Sequence, residues 1–398
     1  MAGETISMLG TWMQQMAQGW VLAGLTTDAA TLGLVNFVSG IPMLALTMFG
    51  GVVADRYDKR LILGIVMLVQ AALAIAIGTL VASQSIAIWH IACAGVCLGI
   101  STAFEVPAAA ALVPELVAKD QIRSAIAVDR SVFHATRLLG PALGGCLISA
   151  LGTASAFFAN AASFSALMIA LVTIRPRPRG SDAEEELRQS GMKEGIRYVA
   201  KDRPTRTMLT LLALATLFVS PFFMILMPLY SRHVLGIDAA QHGLLMGASG
   251  AGALLGSMRL MAIAPAQRGF YLRLAAALVT LAMVCLGGAK GLPLALPAMV
   301  MMTLGTSTLF GLANTIVQER APDYLRGRVS ALAGLSFFGV LPFAGLITSR
   351  LADWTGMRSA MIGSALGFGL CAIVLLASGG WKTLSPSEDS SPVAPGSE

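Results

Sequence analysis

Charged residues are scarce in this sequence: Asp, Glu, Lys and Arg make up 12% of the 398 residues, whereas hydrophobic residues make up 56%. A soluble globular chain carries roughly a quarter charged residues, so this composition excludes a soluble protein of this length. The hydrophobic residues fall in recurrent runs of about 18 or more, which is long enough to cross a hydrocarbon core of roughly 30 Å. The composition therefore indicates an all-α membrane protein embedded in a lipid bilayer.

Motifs for nucleotide hydrolysis and for enzymatic catalysis are also missing. The sequence contains no G-x4-G-K-[ST] phosphate loop, no H-E-x-x-H and no G-x-S-x-G. These absences argue against ATP coupling within the chain and against a membrane enzyme. The five cysteines show no metal-ligand spacing beyond a lone C-x3-C, so we predict no metal site and no cofactor.

Twelve apolar runs are long enough to be transmembrane helices. We predict spans at residues 6–25, 31–54, 61–82, 86–108, 127–151, 154–174, 208–230, 243–264, 270–287, 292–317, 329–352 and 360–379. Most of the 27 Lys and Arg residues follow even-numbered spans, whereas Arg232, Lys290, Arg350 and Arg358 follow odd-numbered ones. The positive-inside rule then places both termini in the cytoplasm. Because this distribution follows topology, the net charge of +6 does not indicate a nucleic-acid partner.

The chain divides into two related halves. Residues 175–206 contain RPRPRG and an acidic run, and they are predicted to be a cytoplasmic linker with a short amphipathic helix at 192–198. This linker separates a six-helix bundle at 1–174 from another at 207–380, and a disordered cytoplasmic tail follows at 381–398. The sequence LGLVNFVSGIP at 32–42 matches HGLLMGASGAG at 242–252, in spans two and eight. Such matches indicate a parallel duplication.

Two motifs of the first half contain residues with a specific structural role. The loop after span two reads GGVVADRYDKR, in which Gly residues permit close helix packing and an acidic residue can pair with a cation or cap a helix. Span five contains RLLGPALGG, whose Gly and Pro residues permit bending and close approach. A topogenic loop and a generic kinked helix would explain the same residues.

These motifs, together with GTWMQQMAQGW and APDYLRGRVSALAG, resemble the major facilitator superfamily, in the branch of the enterobactin exporter and related secretion and drug-efflux proteins. The resemblance implies the major facilitator fold, with twelve helices in two pseudo-symmetric bundles, and a monomer in the bacterial plasma membrane. It implies an inter-bundle latch in the loop after span two, at Gly51, Asp55, Arg56, Lys59 and Arg60. It also implies a helix-bending, antiporter-type motif at Gly140, Pro141, Gly144 and Gly145.

Polar residues inside the spans are functional candidates because each is costly in lipid unless it is paired or faces water. We predict a site for proton coupling, or alternatively a static ion pair that closes the cytoplasmic side, formed by Glu105, Asp129, Arg130, His134 and Arg137. The resemblance adds a cytoplasmic loop with Asp323, Arg326 and Arg328. It also implies a substrate cavity with Gln14, Gln15, Gln18, Thr306 and Asn314. Hydrogen bonds made by side-chain amides between neighbouring helices would explain the Gln and Asn residues equally well.

The predicted function is export of a drug-like or siderophore-like small molecule by alternating access, driven by proton antiport. Proton-coupled uptake of a metabolite by the same fold is the alternative, and a non-transporting membrane receptor is a third possibility.

Overall fold

The computed structural model describes residues 2–116, 122–173, 192–260, 262–322 and 324–377. Within these ranges every regular element is helical. Two π-helical segments lie at Tyr230–Val234 and Leu335–Gly339, and a 3-10 turn lies at Pro265–Gln267. The α-helices are α1 (Ala2–Leu25), α2 (Ala29–Arg56), α3 (Lys59–Ala82), α4 (Ile88–Leu116), α5 (Ile122–Leu151), α6 (Ala154–Thr173), α7 (Met192–Lys201), α8 (Arg203–Phe218), α9 (Ser220–Met224), α10 (Met227–Leu229), α11 (Ala239–Leu260), α12 (Arg268–Gly288), α13 (Leu292–Arg320), α14 (Arg326–Gly334), α15 (Leu341–Thr355) and α16 (Met357–Ala377).

Seven helical segments of the described chain are long and apolar enough to cross a membrane. They are Ala29–Arg56, Lys59–Ala82, Ile88–Leu112, Pro265–Gly288, Leu292–Arg320, Arg326–Thr355 and Met357–Ala377. The other five predicted spans coincide with α1, α5, α6, α11 and the segment from α8 to α10. The apolar parts of α5 and α6 are shorter, at Ala135–Leu151 and Ala154–Ile169. The count of twelve spans therefore remains a prediction.

The predicted seventh span is not one continuous helix. It consists of α8, α9, α10 and the π-helical segment Tyr230–Val234. Pro221 and Pro228 each lie in the first turn of a new helical piece. Proline lacks the backbone N–H that would continue the preceding helix, and its ring clashes with the carbonyl of the preceding turn. The interruptions therefore follow from the two prolines and bring apolar side chains to the centre of the molecule.

Helices α1 to α6 pack together as one half, with α2 on α4, α3 on α4 and α6, and α1 on α5 and α6. In the second half, α11 packs on α13, α12 packs on α13 and α16, and α8 packs on α13, α15 and α16. Gly50 of α2 lies against the backbone of Ala103 in α4, where a Cβ would clash, so glycine permits this close approach.

The two halves meet along two antiparallel helix pairs, α5 with α11 and α2 with α15. A Cβ on Gly145 of α5 would lie 2.7 Å from the Ala239 carbonyl oxygen, and one on Gly243 of α11 would lie 2.6 Å from the Pro141 carbonyl oxygen. Small residues on both helices thus bring the two backbones together. Of the predicted helix-bending motif, Gly145 serves this packing between the halves, whereas Gly140 and Gly144 lie against α1 of the same half.

The linker prediction is accurate for its short helix, since α7 covers Met192–Lys201. Helix α8 starts at Arg203, within the predicted linker and ahead of the predicted seventh span at 208–230. Asp202 caps this helix by accepting a hydrogen bond from the Thr205 backbone N–H at 3.0 Å, and Pro204 occupies its first turn. Residues 174–191 and the predicted tail at 381–398 lie outside the described ranges.

Candidate functional site

A cavity of about 100 Å³ lies between the two halves. Helices α1 and α5 contribute its walls from the first half, and the segment from α9 to α11 contributes them from the second half. The residues that line it are Trp12, Gln15, Met16, Arg137, Pro141, Phe223, Met224, Pro228, His242, Met246 and Ser249.

Helical periodicity explains why these residues share one space. Trp12, Gln15 and Met16 stand three and four residues apart on α1, and therefore on one face. Arg137 and Pro141 repeat the four-residue spacing on α5. The α11 residues in the cavity wall follow the same rule, at positions 242, 246 and 249. Three helices thus direct one stripe each to the cavity, and the proline-interrupted segment closes the remaining side.

Arg137 is the one Lys or Arg among the lining residues, and no Asp or Glu is among them. Its guanidinium carbon lies 5.6 Å from the ring centroid of Trp12, within the range of a cation–π contact. Trp12 also packs edge-on against Phe133, at 5.6 Å between centroids. The remaining walls are aromatic, Met and Pro side chains, which adapt to apolar ligands of different shapes.

His242 is the most deeply buried polar residue of the cavity wall, with no exposed surface. Its Nδ1 lies 2.8 Å from the Ser231 Oγ, and Trp20 stacks on its ring at 5.4 Å between centroids. Its Nε2 has no hydrogen-bond partner among the described residues. No role of His242 can be predicted from the sequence, because a single histidine in an apolar run gives no signal without its neighbours in space.

Beyond Trp20 the cavity is closed at the end of the molecule where α1 ends and α2 begins, which we call the Asp28 end. The guanidinium of Arg232 lies 5.2 Å from the Trp20 ring centroid, and the His233 Nε2 lies 2.7 Å from the Ala23 carbonyl oxygen. Both Arg232 and His233 belong to the π-helical segment of the second half. This segment therefore holds the end of α1 across the boundary between the halves.

A second contact closes the Asp28 end between α2 and α15. The carboxylate of Asp353 in α15 accepts hydrogen bonds from the backbone N–H groups of Ala29 at 2.7 Å and Ala30 at 2.8 Å. These donors are among the first N–H groups of α2, which have no partner within their own helix. Asp28 caps the same helix by accepting a hydrogen bond from the Thr31 backbone N–H at 3.2 Å, and it accepts another from the Thr31 hydroxyl at 2.6 Å. One half thus supplies an acidic cap to a helix of the other.

Glu105 lies within the first half, where its Oε2 accepts a hydrogen bond from the Gln70 Nε2 at 2.7 Å. The structure does not bring Glu105 and Arg137 together as the predicted ion pair, because Arg137 lies over Trp12 instead. The side chains of three further predicted coupling residues, Asp129, Arg130 and His134, lie outside the described part of α5.

The loop after α2 is exposed in this conformation. The side chains of Asp55 and Arg56 make no hydrogen bond or ion pair with other described residues. A Cβ on Gly51 would meet nothing within 4 Å. Of the two glycines at this position, Gly50 rather than Gly51 thus permits helix contact.

The other charged residues of this loop organise the start of α3, which Lys59 begins. Asp58 accepts a hydrogen bond from the backbone N–H of Arg60 at 2.8 Å and forms an ion pair with its guanidinium at 3.0 Å. These hydrogen bonds hold the pKa of Asp58 below its usual value. Asp58 thus serves as the cap of α3.

Of the residues predicted to contact substrate, Gln15 lines the cavity. Gln14 does not, because it is buried between α1 and α6 and its Oε1 accepts a hydrogen bond from the Asn160 Nδ2 at 2.8 Å. Gln18, Thr306 and Asn314 are not among the lining residues. The structure therefore assigns Gln14 to helix packing, the alternative that was left open for the amides.

One of the predicted cytoplasmic-loop residues, Arg328, binds the linker helix α7 to the second half. Arg328 pairs with Glu194 of α7 at 3.1 Å, and the Nε of Arg326 donates to the Gln318 carbonyl at 3.2 Å. Asp323 lies outside the described residues.

Arg320 makes two hydrogen bonds to Asp202, at 2.8 and 3.0 Å. Burial raises the pKa of Asp202, but hydrogen bonds from Arg320 and Thr205 outweigh burial and bring the pKa below its usual value.

Two helical halves around a shared cavity, closed at one end, define a membrane transporter of the major facilitator type, and comparisons with known proteins agree. The chain belongs to the transmembrane secretion effector family, whose model matches residues 2–392. Members of this superfamily are transporters rather than enzymes.

The chain is 24% identical to the multidrug efflux pump Tap of Mycolicibacterium fortuitum, over 92% of this chain and 91% of the pump. It is also 24% identical to macrolide efflux protein A of Streptococcus pyogenes, over 90% of this chain and 89% of that protein. A shorter match, 31% identical over 38% of this chain and 39% of the relative, is to the staphyloferrin A transporter of Staphylococcus aureus.

Among solved structures, a bacterial homologue of the human lysosomal transporter Spinster, inward-facing and unoccupied, superposes with a TM-score of 0.75 at 15% identity, covering 97% of both chains. A bacterial homologue of the iron transporter ferroportin, also inward-facing, gives a TM-score of 0.71 at 16% identity, over 96% of this chain and 99% of the other. These similarities establish the fold.

Proposed function

We propose that this protein exports a small molecule across the bacterial plasma membrane by alternating access, in exchange for protons. The observation that carries the proposal is the cavity between the halves, which inter-half contacts close at the Asp28 end. Rocking of the halves about this cavity would open the closed end and close the other. Relatives named as multidrug and macrolide efflux pumps support export of a drug-like or siderophore-like compound.

We further propose that the protein is a monomer with twelve spans, arranged as six-helix bundles at 1–174 and 207–380 around a cytoplasmic linker at 175–206. The helices α1, α5, α6 and α11 and the interrupted segment from α8 to α10 would supply the five spans beyond the seven identified. The excess of Lys and Arg at the end opposite Asp28 supports cytoplasmic termini. In this orientation the Asp28 end faces the cell exterior, and the conformation is closed to the outside.

Glu105 is the proposed proton carrier. It is a carboxyl within the bilayer-spanning part of α4, and its hydrogen-bond partner Gln70 is an uncharged amide. Such a carboxyl can bind a proton without breaking an ion pair, whereas an arginine partner would stabilise the charged form. The proposed latch at Asp55, exposed here, would engage the second half when the cytoplasmic end closes.

The test is flux in proteoliposomes loaded with dyes, antibiotics or catecholate siderophores, with and without a collapsed proton gradient. We expect gradient-dependent export of at least one compound. Glu105→Gln should abolish the dependence on the gradient while the protein still inserts. Gln70→Glu is a useful second variant, because a neighbouring carboxylate should alter the pH at which flux is half-maximal.

Gradient-driven accumulation instead of efflux would assign uptake to the same fold. Binding without any flux would identify a receptor and refute transport. Unchanged gradient dependence in the Glu105→Gln variant would show that this carboxyl is a structural partner of Gln70 and that protons are carried elsewhere.

A further inference from the structure

Arg137 has an electrostatic environment that its role as a predicted gate residue does not explain. Within the described residues it has no acidic partner and donates no hydrogen bond. A guanidinium carries five N–H donors, and removing it from water is costly unless a partner accepts them. The Trp12 ring contributes a cation–π contact but accepts no hydrogen bond from these N–H donors.

The composition of the cavity wall determines which partner is missing. The wall holds one guanidinium and no carboxylate, and its other polar side chains are Gln15, Ser249 and His242. A cationic ligand would meet Arg137 without any compensating charge. An anionic group would instead accept two N–H bonds from the guanidinium fork, the geometry that arginine offers to carboxylates.

The remaining surface of the cavity suits an apolar body attached to that anionic group. Phe223, Met224 and Met246 come from the second half and lie across the cavity from Arg137 on the first half. A ligand held by both sets of residues would therefore bridge the two halves. The unpartnered Nε2 of His242 offers a further hydrogen bond on the side of the second half.

Building on the proposed transport function, we propose that Arg137, positioned over Trp12, binds the anionic group of the transported molecule. The cavity then selects organic anions with an apolar body over cations and neutral compounds of the same shape. This makes Arg137 a specificity-determining residue rather than one half of a gate ion pair.

The experiment measures binding of three planar probes of nearly identical shape: benzoate, benzamide and benzamidinium. Binding to the purified full-length protein in detergent is followed by saturation-transfer NMR, with each variant in the same detergent to correct for partition into micelles. We expect benzoate to bind at least about tenfold more tightly than the other two, as befits a charge-assisted bidentate bond.

Arg137→Gln should remove this preference, and Arg137→Lys should restore part of it, because lysine keeps the charge without the fork. Arg259→Gln is the matched control, since Arg259 lies 4.9 Å from the Tyr271 ring centroid in a comparable contact that is not part of the cavity wall. This control should bind benzoate as the unmodified protein does.

The proposal is overturned by a preference that survives Arg137→Gln, by equal binding of the three probes, or by absence of benzoate binding at millimolar concentration. These outcomes are separate from the flux test, because gradient-dependent export of a cationic dye would uphold transport while refuting anion selectivity. Conversely, charge-selective binding without flux would uphold the site and refute transport.

Discussion

Substitution of Asp353 tests whether the cap across the halves stabilises the conformation closed at the Asp28 end. Asp353→Asn removes the negative charge and leaves one carbonyl oxygen for the two N–H donors of Ala29 and Ala30. A carboxylate near an exposed helix N-terminus stabilises by about 0.3–1 kcal/mol, and a net hydrogen bond contributes a similar amount. Because Asp353 is exposed and the Asp28 carboxyl lies beside it, solvent screening and repulsion between the two acids lower the sum, and we take about 1 kcal/mol.

A change of about 1 kcal/mol corresponds to a roughly fivefold shift in the ratio of closed to open populations. Spin labels at Leu34 and Ile347, which are 53% and 60% exposed on α2 and α15, would report the separation of these helices by pulsed electron resonance in a cysteine-free background. We expect the longer-distance population to grow in the Asp353→Asn protein and to grow further in Asp353→Ala.

Asp238 provides the matched control, because its side chain accepts a hydrogen bond from the Gln241 backbone N–H at 2.8 Å within the second half. Asp238→Asn alters a comparable helix start without touching the boundary between the halves, and it should leave the distances unchanged. If both Asp353 variants gave the same distance distribution as the unmodified protein, the cap would have no part in closure and the reasoning would fail.

Three further substitutions test other contacts. Gly145→Ala should lower the thermal midpoint and slow flux, because its Cβ would meet backbone atoms of α11 and overpacking costs about 1–3 kcal/mol; Gly363→Ala, with nothing within 4 Å, should do neither. Asp55→Asn should reduce flux while membrane insertion, measured by protease protection, stays normal; unimpaired flux would remove the latch. Asp202→Asn should lower the thermal midpoint at pH 7. This difference should shrink as the pH falls below the unfolded pKa of about 3.9 and through the lower folded pKa, because a carboxyl whose pKa is lowered by folding stabilises the fold only while it is ionised. A difference that stays the same size as the pH is lowered through the whole acid range below about 3.9 would show that the charge of Asp202 is not responsible.

Features set by local sequence were predicted well. The helix at 192–198 was recognised from its amphipathic pattern, and α7 covers Met192–Lys201. The third span was predicted at 61–82, and α3 covers Lys59–Ala82, although the cap by Asp58 was not foreseen. The end of α8 was missed although Pro221 and Pro228 were visible, because the hydrophobic pattern runs through both prolines without a break.

Features that depend on distant residues were not predictable from one sequence. Asp353 caps a helix that begins 324 residues earlier in the chain, and no local pattern encodes that contact. Gln14 and Gln15 are adjacent, yet one bonds to Asn160 and the other lines the cavity, because successive helical positions point in different directions. The partner of Glu105 likewise depended on how α3 and α4 pack, which placed Gln70 rather than an arginine beside it.

The attachment of α7 to the second half determines how the chain connects two moving bodies. Since Arg328 and Arg320 hold α7 and its C-terminal end through Glu194 and Asp202, the covalent connection between the two bodies runs from Thr173 to Met192. At about 3.3–3.6 Å per residue, that stretch of chain can reach roughly 60 Å, more than the thickness of the membrane. A connection of this length does not by itself fix how the halves are oriented, whereas the pairs α5 with α11 and α2 with α15 hold them together directly. A chain cut between residues 175 and 191 should accordingly reassemble from two separately synthesised halves.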